Sequence, residues 1–241
     1  MDASTKTRLP LKTIVAIIVI VLCIPLILGL GVLLPGEGGI YAISAIVIVL
    51  VMLPFMLAFE GRRPQARELV LITVMIALAV AGRAAFFMVP QFKPMVALVI
   101  IAGVALGAES GFVTGSLSAF ISNFIFGQGP WTPWQMFALG LIGFLAGLIF
   151  SKGRLPVKRL PLCLFGGLSA LLIYGLFMDT SSVLLMTNLL SGQSAVAIYL
   201  AGLPFNAVHA VATVLFLAFL APFMIEKLER VRSKYGLLGN Q

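Results

Sequence analysis

Charge is scarce in this sequence. Only 10% of its 241 residues are Asp, Glu, Lys or Arg, against roughly 25% in an average soluble domain, and 61% are hydrophobic. That deficit excludes an ordinary soluble fold and marks an integral membrane protein. Acid is scarcer still, with eight Asp and Glu against sixteen Lys and Arg. Histidine occurs once, at His209, so a multi-histidine metal site cannot be built, and nothing else in the sequence supports cobalt coordination through that ring. The two cysteines, Cys23 and Cys163, lie in separate apolar stretches and read as small buried hydrophobes rather than a disulfide or metal pair. A nucleotide-binding run of the GxxxxGKS/T type is missing, so any ATP-driven process here needs another chain to hydrolyse the nucleotide. No internal repeat is evident, no segment is long enough for a soluble domain, and no cofactor is called for.

What is present is a series of apolar runs, at about 12–34, 40–60, 66–89, 94–107, 110–127, 134–151, 161–178 and 203–225. A span needs about 20 residues, which makes 94–107 short. The basic N-terminus, with Lys6, Arg8 and Lys12 before the first run, resembles a signal sequence. That run continues to Leu34 without an Ala-x-Ala site, so it reads as a retained helix. Eight spans put both termini on one side. Fourteen of the sixteen basic residues then fall on a single face: Lys6, Arg8, Lys12, Arg62, Arg63, Arg67, Lys152, Arg154, Lys158, Arg159, Lys227, Arg230, Arg232 and Lys234. In the short loops of a membrane protein such an excess marks the cytoplasmic side, so a net charge of +8 is a topology signal here and not a nucleic-acid patch. Only Lys93 lies in an outer loop, and Arg83 lies within a span. The expected chain is an all-α, multi-pass cell-membrane protein with both termini cytoplasmic. Residues 1–60 would form an N-terminal pair of helices and 61–241 a six-helix core.

Small residues recur at helical spacing. Gly111, Gly115, Ala119 and Ser122 align on one helix, Gly143 and Gly147 on the next, and Gly166 and Ala170 on another. Lipid tails are as apolar as leucine, so membrane helices associate through close packing, which small residues allow. Most of these stripes read as internal packing. The stripe Ala77, Ala81 and Ala85 is different: it is as well suited to an external partner as to the chain itself.

Polar residues gather toward the outer ends. Arg83 lies sixteen residues beyond Arg67, about 24 Å along a helix. A charge there either snorkels to the headgroups or lines an outward pocket, touching ligand or paired with Asp179. The loop SNFIFGQGPWTPWQ sets Asn123, Gln128, Trp131, Trp134 and Gln135 among Gly127, Gly129, Pro130 and Pro133. Tryptophans favour the membrane interface, but two of them beside amides on a rigid loop also suit stacking of a planar ligand. His209 and Asn206 share a depth with Tyr174 and Asp179 on the neighbouring span. The outer stretch from Met178 to Leu203 is too long for a tight turn and too apolar for free solution, and is expected to fold over the mouth as short helices. Intramembrane catalysis finds no support: Ser116 and Ser118 lie mid-helix without a nucleophile turn, and a glutamate-dependent protease would want paired glutamates and several histidines, where this region offers Glu109.

The stretches RELVLITVMIALAVAGRAAFF and FKPMVALVIIAGVALGAESGFVTGSLSAFISNFIFGQGPWTPWQMFALGLIGFLAGLIF, from Arg67 to Phe150, resemble the substrate-binding (S) subunit of an energy-coupling factor (ECF) vitamin transporter. The AxxxA helix is a weak motif alone; followed by SNFIFGQGPWTPWQM and a Gly-rich helix it is far more specific. The resemblance implies a six-helix core that captures a vitamin from outside. That core would dock through Ala77, Ala81 and Ala85 on a transmembrane coupling subunit, itself joined to two ATPases, and topple in the bilayer to deliver its cargo. It implies no enzymatic activity in this chain. Two additional N-terminal spans depart from the family pattern. GQGPWTPWQM is similar to S subunits associated with cobalamin, which implies a corrinoid cargo held around Arg83, Asn123, Gln128, Trp131, Trp134, Gln135, Tyr174, Asp179, Asn206 and His209. Riboflavin-like planar ligands, and a non-transporting membrane scaffold, are the alternatives.

Overall fold

The structure, a computed structural model, describes residues 65–151, 153–186 and 192–235, together with Ile46. The chain divides into two compact units, Met1–Arg63 and Pro64–Gln241. The two N-terminal spans expected over 12–34 and 40–60, and Cys23 with them, lie outside the described residues apart from Ile46. The described part of the second unit is all-α, with six helices and no strand among the described residues.

These helices are α1 (Ala66–Ala85), α2 (Met95–Leu106), α3 (Ala108–Phe126), α4 (Thr132–Ala146, extended by a π-turn over Gly147–Ser151), α5 and α6. Helix α5 runs as Arg159–Leu168, a π-helical stretch Ser169–Tyr174, and Gly175–Met186; α6 is a single helix over Gly192–Lys234. Four stretches are long and apolar enough to cross a membrane: Ala66–Ala85, Thr132–Ser151, Arg159–Val183 and Ala195–Lys234.

The other two helices differ for opposite reasons. All twelve residues of α2 are buried. A helix apolar on every side belongs in a core, and at about 18 Å it is too short to cross about 30 Å of hydrocarbon. The shortness of the run 94–107 therefore reflects a position inside the protein, packed among α1, α3, α4 and α6. Helix α3 is long enough but carries buried Ser110, Thr114, Ser116, Ser118, Ser122 and Asn123, groups that lipid could not satisfy. One residue, Gly107, joins α2 to α3. Its φ of +95° is strained for a side-chain-bearing residue, so glycine permits the reversal.

The glycine stripes close on one another. A Cβ on Gly111 would strike the Gly143 carbonyl, one on Gly115 the Leu139 carbonyl, and one on Gly143 the Gly111 carbonyl; Gly103 of α2 meets Gly143 as well. Helices α3 and α4 thus touch backbone to backbone, and Ser116 Oγ donates across the seam to the Met136 carbonyl at 3.0 Å. Gly166 packs against Leu217 and Thr213 of α6, and Ala170 is fully buried. The alanine stripe faces the other way: Ala77, Ala81 and Ala85 are all exposed.

Two ends of this bundle can be named by their residues. At the Glu68 end, Ser110 Oγ donates to the buried Glu68 carboxylate at 3.2 Å, Arg232 Nη1 donates to the Ala105 carbonyl at 3.1 Å, and the Arg67 guanidinium lies 4.5 Å from the Tyr235 ring centre. The Arg83 end is the opposite one. The stretch 178–203 does not form separate short helices there. Its described residues are the ends of α5 and α6, which run antiparallel and are tied by Asn206 Nδ2 donating to Asp179 at 2.8 Å and by the hydroxyls of Thr180 and Tyr199, 2.8 Å apart. Small residues let the pair close: Gly202 lies against Asp179 and Gly175 against Asn206. At 43 residues, α6 is about 64 Å long.

Candidate functional site

A continuous hydrogen-bonded chain crosses four helices at the Arg83 end. Arg83, in the last turn of α1, donates from Nη1 to Ser122 Oγ at 2.6 Å and to Asn123 Oδ1 at 2.7 Å. Asn123, fully buried near the end of α3, donates from Nδ2 to Thr132 Oγ1 at 3.0 Å and to Gln135 Oε1 at 2.8 Å. Gln135, in the first turns of α4, passes the chain on by donating to the Tyr174 hydroxyl at 3.1 Å. The Tyr174 ring then meets His209 of α6 edge-on, 4.7 Å between centres. Each amide uses its oxygen on one neighbour and its nitrogen on the next, which fixes its orientation.

Local sequence explains the placement. Ser118 and Ser122 are four residues apart on α3, so they share a face, and Ser122 meets Arg83 there. The loop between α3 and α4 is shaped by Gly127, with φ +106°, and by Pro133 in the first turn of α4, where a missing N–H costs nothing. Thr132 holds this loop: its hydroxyl donates to Gln128 Oε1 at 2.9 Å and accepts from the Gly129 N–H at 3.2 Å. Gln128 Nε2 donates in turn to the Phe120 carbonyl at 3.0 Å. The π-helical stretch of α5 ends on Tyr174, and the Gly175 N–H reaches back five residues to the Ala170 carbonyl. Such a widened turn rotates the residues that follow it, and π-turns are frequent at functional sites.

Aromatic rings surround the polar chain. The Arg83 guanidinium sits 4.8 Å from the Phe126 ring centre, and Phe126 stacks on Phe87. Phe86, Phe92 and Phe216 form a second cluster, with centres 5.2–5.8 Å apart, and it brings the α1–α2 connection against α6. Lys93 follows Phe92 in that connection. Burial pushes its ammonium below the usual lysine range, and the charge on Arg83 pushes the same way. Among the described residues no carboxylate pairs with either cation.

The ten residues singled out in the sequence divide into groups. Arg83, Asn123, Gln128, Gln135 and Tyr174 belong to the network just described, with His209 at its end. Asn206 and Asp179 bond each other beyond it. Arg83 is not paired with Asp179; neutral oxygens hold it instead. The tryptophans do not form a slot. Trp131 is 40% exposed and lies against Gly129, whereas Trp134 is buried and points to Phe177, 6.5 Å between ring centres. Sequence reading gives Ser122 to helix packing and Lys93 to an outer loop, and assigns neither these two nor Thr132 to the site. The Ser118–Ser122 spacing on a helix rich in small polar residues was the available signal for the first, but a single threonine and a single loop lysine carry none.

His209 and Ser118 stand apart electrostatically. Both ring nitrogens of His209 and the Ser118 hydroxyl are buried without a hydrogen-bond partner, and His209 is only 5% exposed. A buried polar group left unpaired costs about 1–3 kcal/mol, and such exceptions in a folded protein call for an explanation. No group of three or more His, Cys, Asp or Glu side chains that could hold a metal ion occurs among the described residues.

Residues 64–225 match a family model described as the ECF-type riboflavin transporter, S component. Over 104 residues, 40% of this chain, the sequence is 30% identical to the UPF0397 protein VS_II0189 of Vibrio atlanticus (strain LGP32), and the match spans 57% of that protein's length. No solved structure matches.

Proposed function

Because the chain belongs to the family of ECF-type riboflavin transporter S components, we propose that it captures a vitamin at its Arg83 end and delivers it by docking on a transmembrane coupling subunit served by two ATPase subunits. The observation that carries this reading is the polar chain Arg83–Asn123–Gln135–Tyr174. It lies at one end of a bundle of apolar helices, where a ligand can replace or extend its bonds. Ligand sites combine an apolar wall with a few placed polar groups; here the wall is the Phe86, Phe92, Phe126 and Phe216 rings.

Orientation follows from charge. Arg67, Arg154, Lys158, Arg159, Arg230, Arg232 and Lys234 lie toward the Glu68 end, and Arg83 and Lys93 toward the other. An excess of Lys and Arg marks the cytoplasmic side, so the Arg83 end faces outward and captures ligand from outside the cell. The docking face is the exposed stripe Ala77, Ala81 and Ala85, with no cofactor or metal required in this chain.

Cobalamin or a related corrinoid is the first candidate cargo. The amides fringing a corrin match the amides of Asn123, Gln128, Gln135 and Asn206, and the loop 126–135 carries the likeness to cobalamin-associated S subunits. Riboflavin, the vitamin in the family's description, is the second, since its ring carbonyls suit Arg83 and Gln135 beside phenylalanine rings. A vitamin panel read as thermal stabilisation of the purified full-length protein decides between them. The capture reading expects one vitamin to raise the melting temperature and the chain to co-purify with coupling and ATPase subunits. Absence of both overturns it in favour of a membrane scaffold.

A further inference from the structure

We infer that the cargo carries an anionic group, a phosphate or carboxylate, and that Arg83, Lys93 and His209 form the subsite that receives it; this rests on the capture reading above and narrows its substrate class. Three observations converge. Arg83 spends one nitrogen, Nη1, on two neutral oxygens, and Nε and Nη2 have no hydrogen-bond partner among the described residues, although a guanidinium carries five donors. Lys93 is half-buried in the α1–α2 connection, which the Phe86, Phe92 and Phe216 rings hold beside the Arg83 end of α1 and against α6; the Arg83 charge disfavours its ammonium, and it makes no hydrogen bond among the described residues. His209 is buried with both ring nitrogens unpartnered, and its ring meets Tyr174 of the network edge-on, 4.7 Å between centres.

Two cations and an unsatisfied imidazole brought together without an acid are unfavourable in the empty protein. Membrane-embedded charges are ordinarily paired, and the nearest acid on α5, Asp179, is held by Asn206. An oxyanion supplies what is missing: acceptors for the free guanidinium N–H groups, a counter-charge for Lys93, and an acceptor for the imidazole N–H. Charge-assisted bonds of this kind are about twice as strong as neutral ones. Neutral cargo would leave the same groups as they are in the empty site.

Matched pairs test this. Cobinamide phosphate against cobinamide, flavin mononucleotide against riboflavin, and biotin against biotinamide each differ by one anionic group; the first two probe phosphate and the third carboxylate. Binding to full-length protein in lipid nanodiscs is measured by calorimetry. The inference expects the anionic member of at least one pair to bind tenfold or more tighter, about 1.4 kcal/mol. It expects that preference to fall to within threefold in Lys93→Gln, a change that removes no hydrogen bond among the described residues. It also expects Lys93→Gln to raise the melting temperature of the empty protein, because one of two repelling charges is gone. Equal or weaker binding of the anionic member in every pair that binds, or a preference unchanged by Lys93→Gln, overturns the inference. So does failure of all six compounds to bind while the chain still co-purifies with coupling and ATPase subunits, an outcome that leaves delivery by docking standing. Loss of co-purification as well overturns the capture reading itself.

Discussion

Small residues at the same helical spacing do opposite things on α1 and at the α3–α4 seam. On α3 and α4, Gly111 and Gly143 close against each other's carbonyls, and Gly115 closes on Leu139, so the stripe is used up inside the fold. On α1, Ala77, Ala81 and Ala85 have the same spacing and stand exposed, flanked by Val70, Val74 and Leu78 at 60%, 48% and 44% exposure. The i, i+4 pattern states that something approaches closely; it does not state what. The glycine seam has no room for a Cβ, whereas the three alanines stand exposed. The first is a requirement of folding, and the second is free to serve a partner.

The sharpest way to break this contrast is to fill the closed seam. Gly143→Leu places a branched side chain where the Gly111 carbonyl and Val99 already sit, contacts that only backbone movement can relieve. Overpacking of this kind costs about 3 kcal/mol, which for a chain of this size lowers the melting temperature by about 10 °C. Thermal unfolding in detergent with size-exclusion chromatography checks it. Unchanged melting would mean that α3 and α4 are not in backbone contact.

A smaller effect is expected where α1 is held to the seam. Asn123 joins Arg83 of α1 to Thr132 and Gln135 of α4. Asn123→Leu removes all three bonds and leaves an arginine, a threonine and a glutamine short of partners. At about 1–3 kcal/mol for buried groups left unsatisfied, a loss of about 2 kcal/mol and of vitamin-dependent stabilisation is expected together, read by melting with and without ligand. Loss of stability with ligand response intact would separate the network from the site.

These positions were unequally legible in the sequence. Apolar runs located the six described helices, because period and length speak to composition alone. They could not reveal that α2 is interior: MVALVIIAGVAL reads the same whether it meets lipid or protein. The stretch 178–203 reads as short helices over the mouth because it is too long for a turn and too apolar for free solution; in the structure its described residues continue α5 and α6, held by the pairs Asp179–Asn206 and Thr180–Tyr199, which residue type alone does not reveal. Arg83, Asn123, Gln135 and Tyr174 were recognisable as polar residues at one depth. Their order in the chain of bonds was not, because it depends on side-chain direction. Asp179 was the obvious partner for Arg83 by charge, yet geometry gives Arg83 to neutral oxygens and Asp179 to Asn206.

The smallest effect on the fold is expected from the open stripe, and it discriminates best. Ala81 is exposed on the face of α1 away from α2 and α3, so Ala81→Trp adds bulk without displacing a neighbour among the described residues. Surface substitutions of this kind stay within about 0.5 kcal/mol. Melting temperature and vitamin binding are therefore expected to match the unaltered protein. Docking is different, because close helix approach tolerates no indole on its contact face, and co-purification with the coupling subunit is expected to be lost along with uptake. Gly143→Leu should fail in both assays, and Ala81→Trp in the second alone. If Ala81→Trp leaves assembly intact, the alanine stripe is merely lipid-facing and docking must use another surface. If it unfolds the protein, the stripe is covered from within, and the distinction between the two stripes collapses.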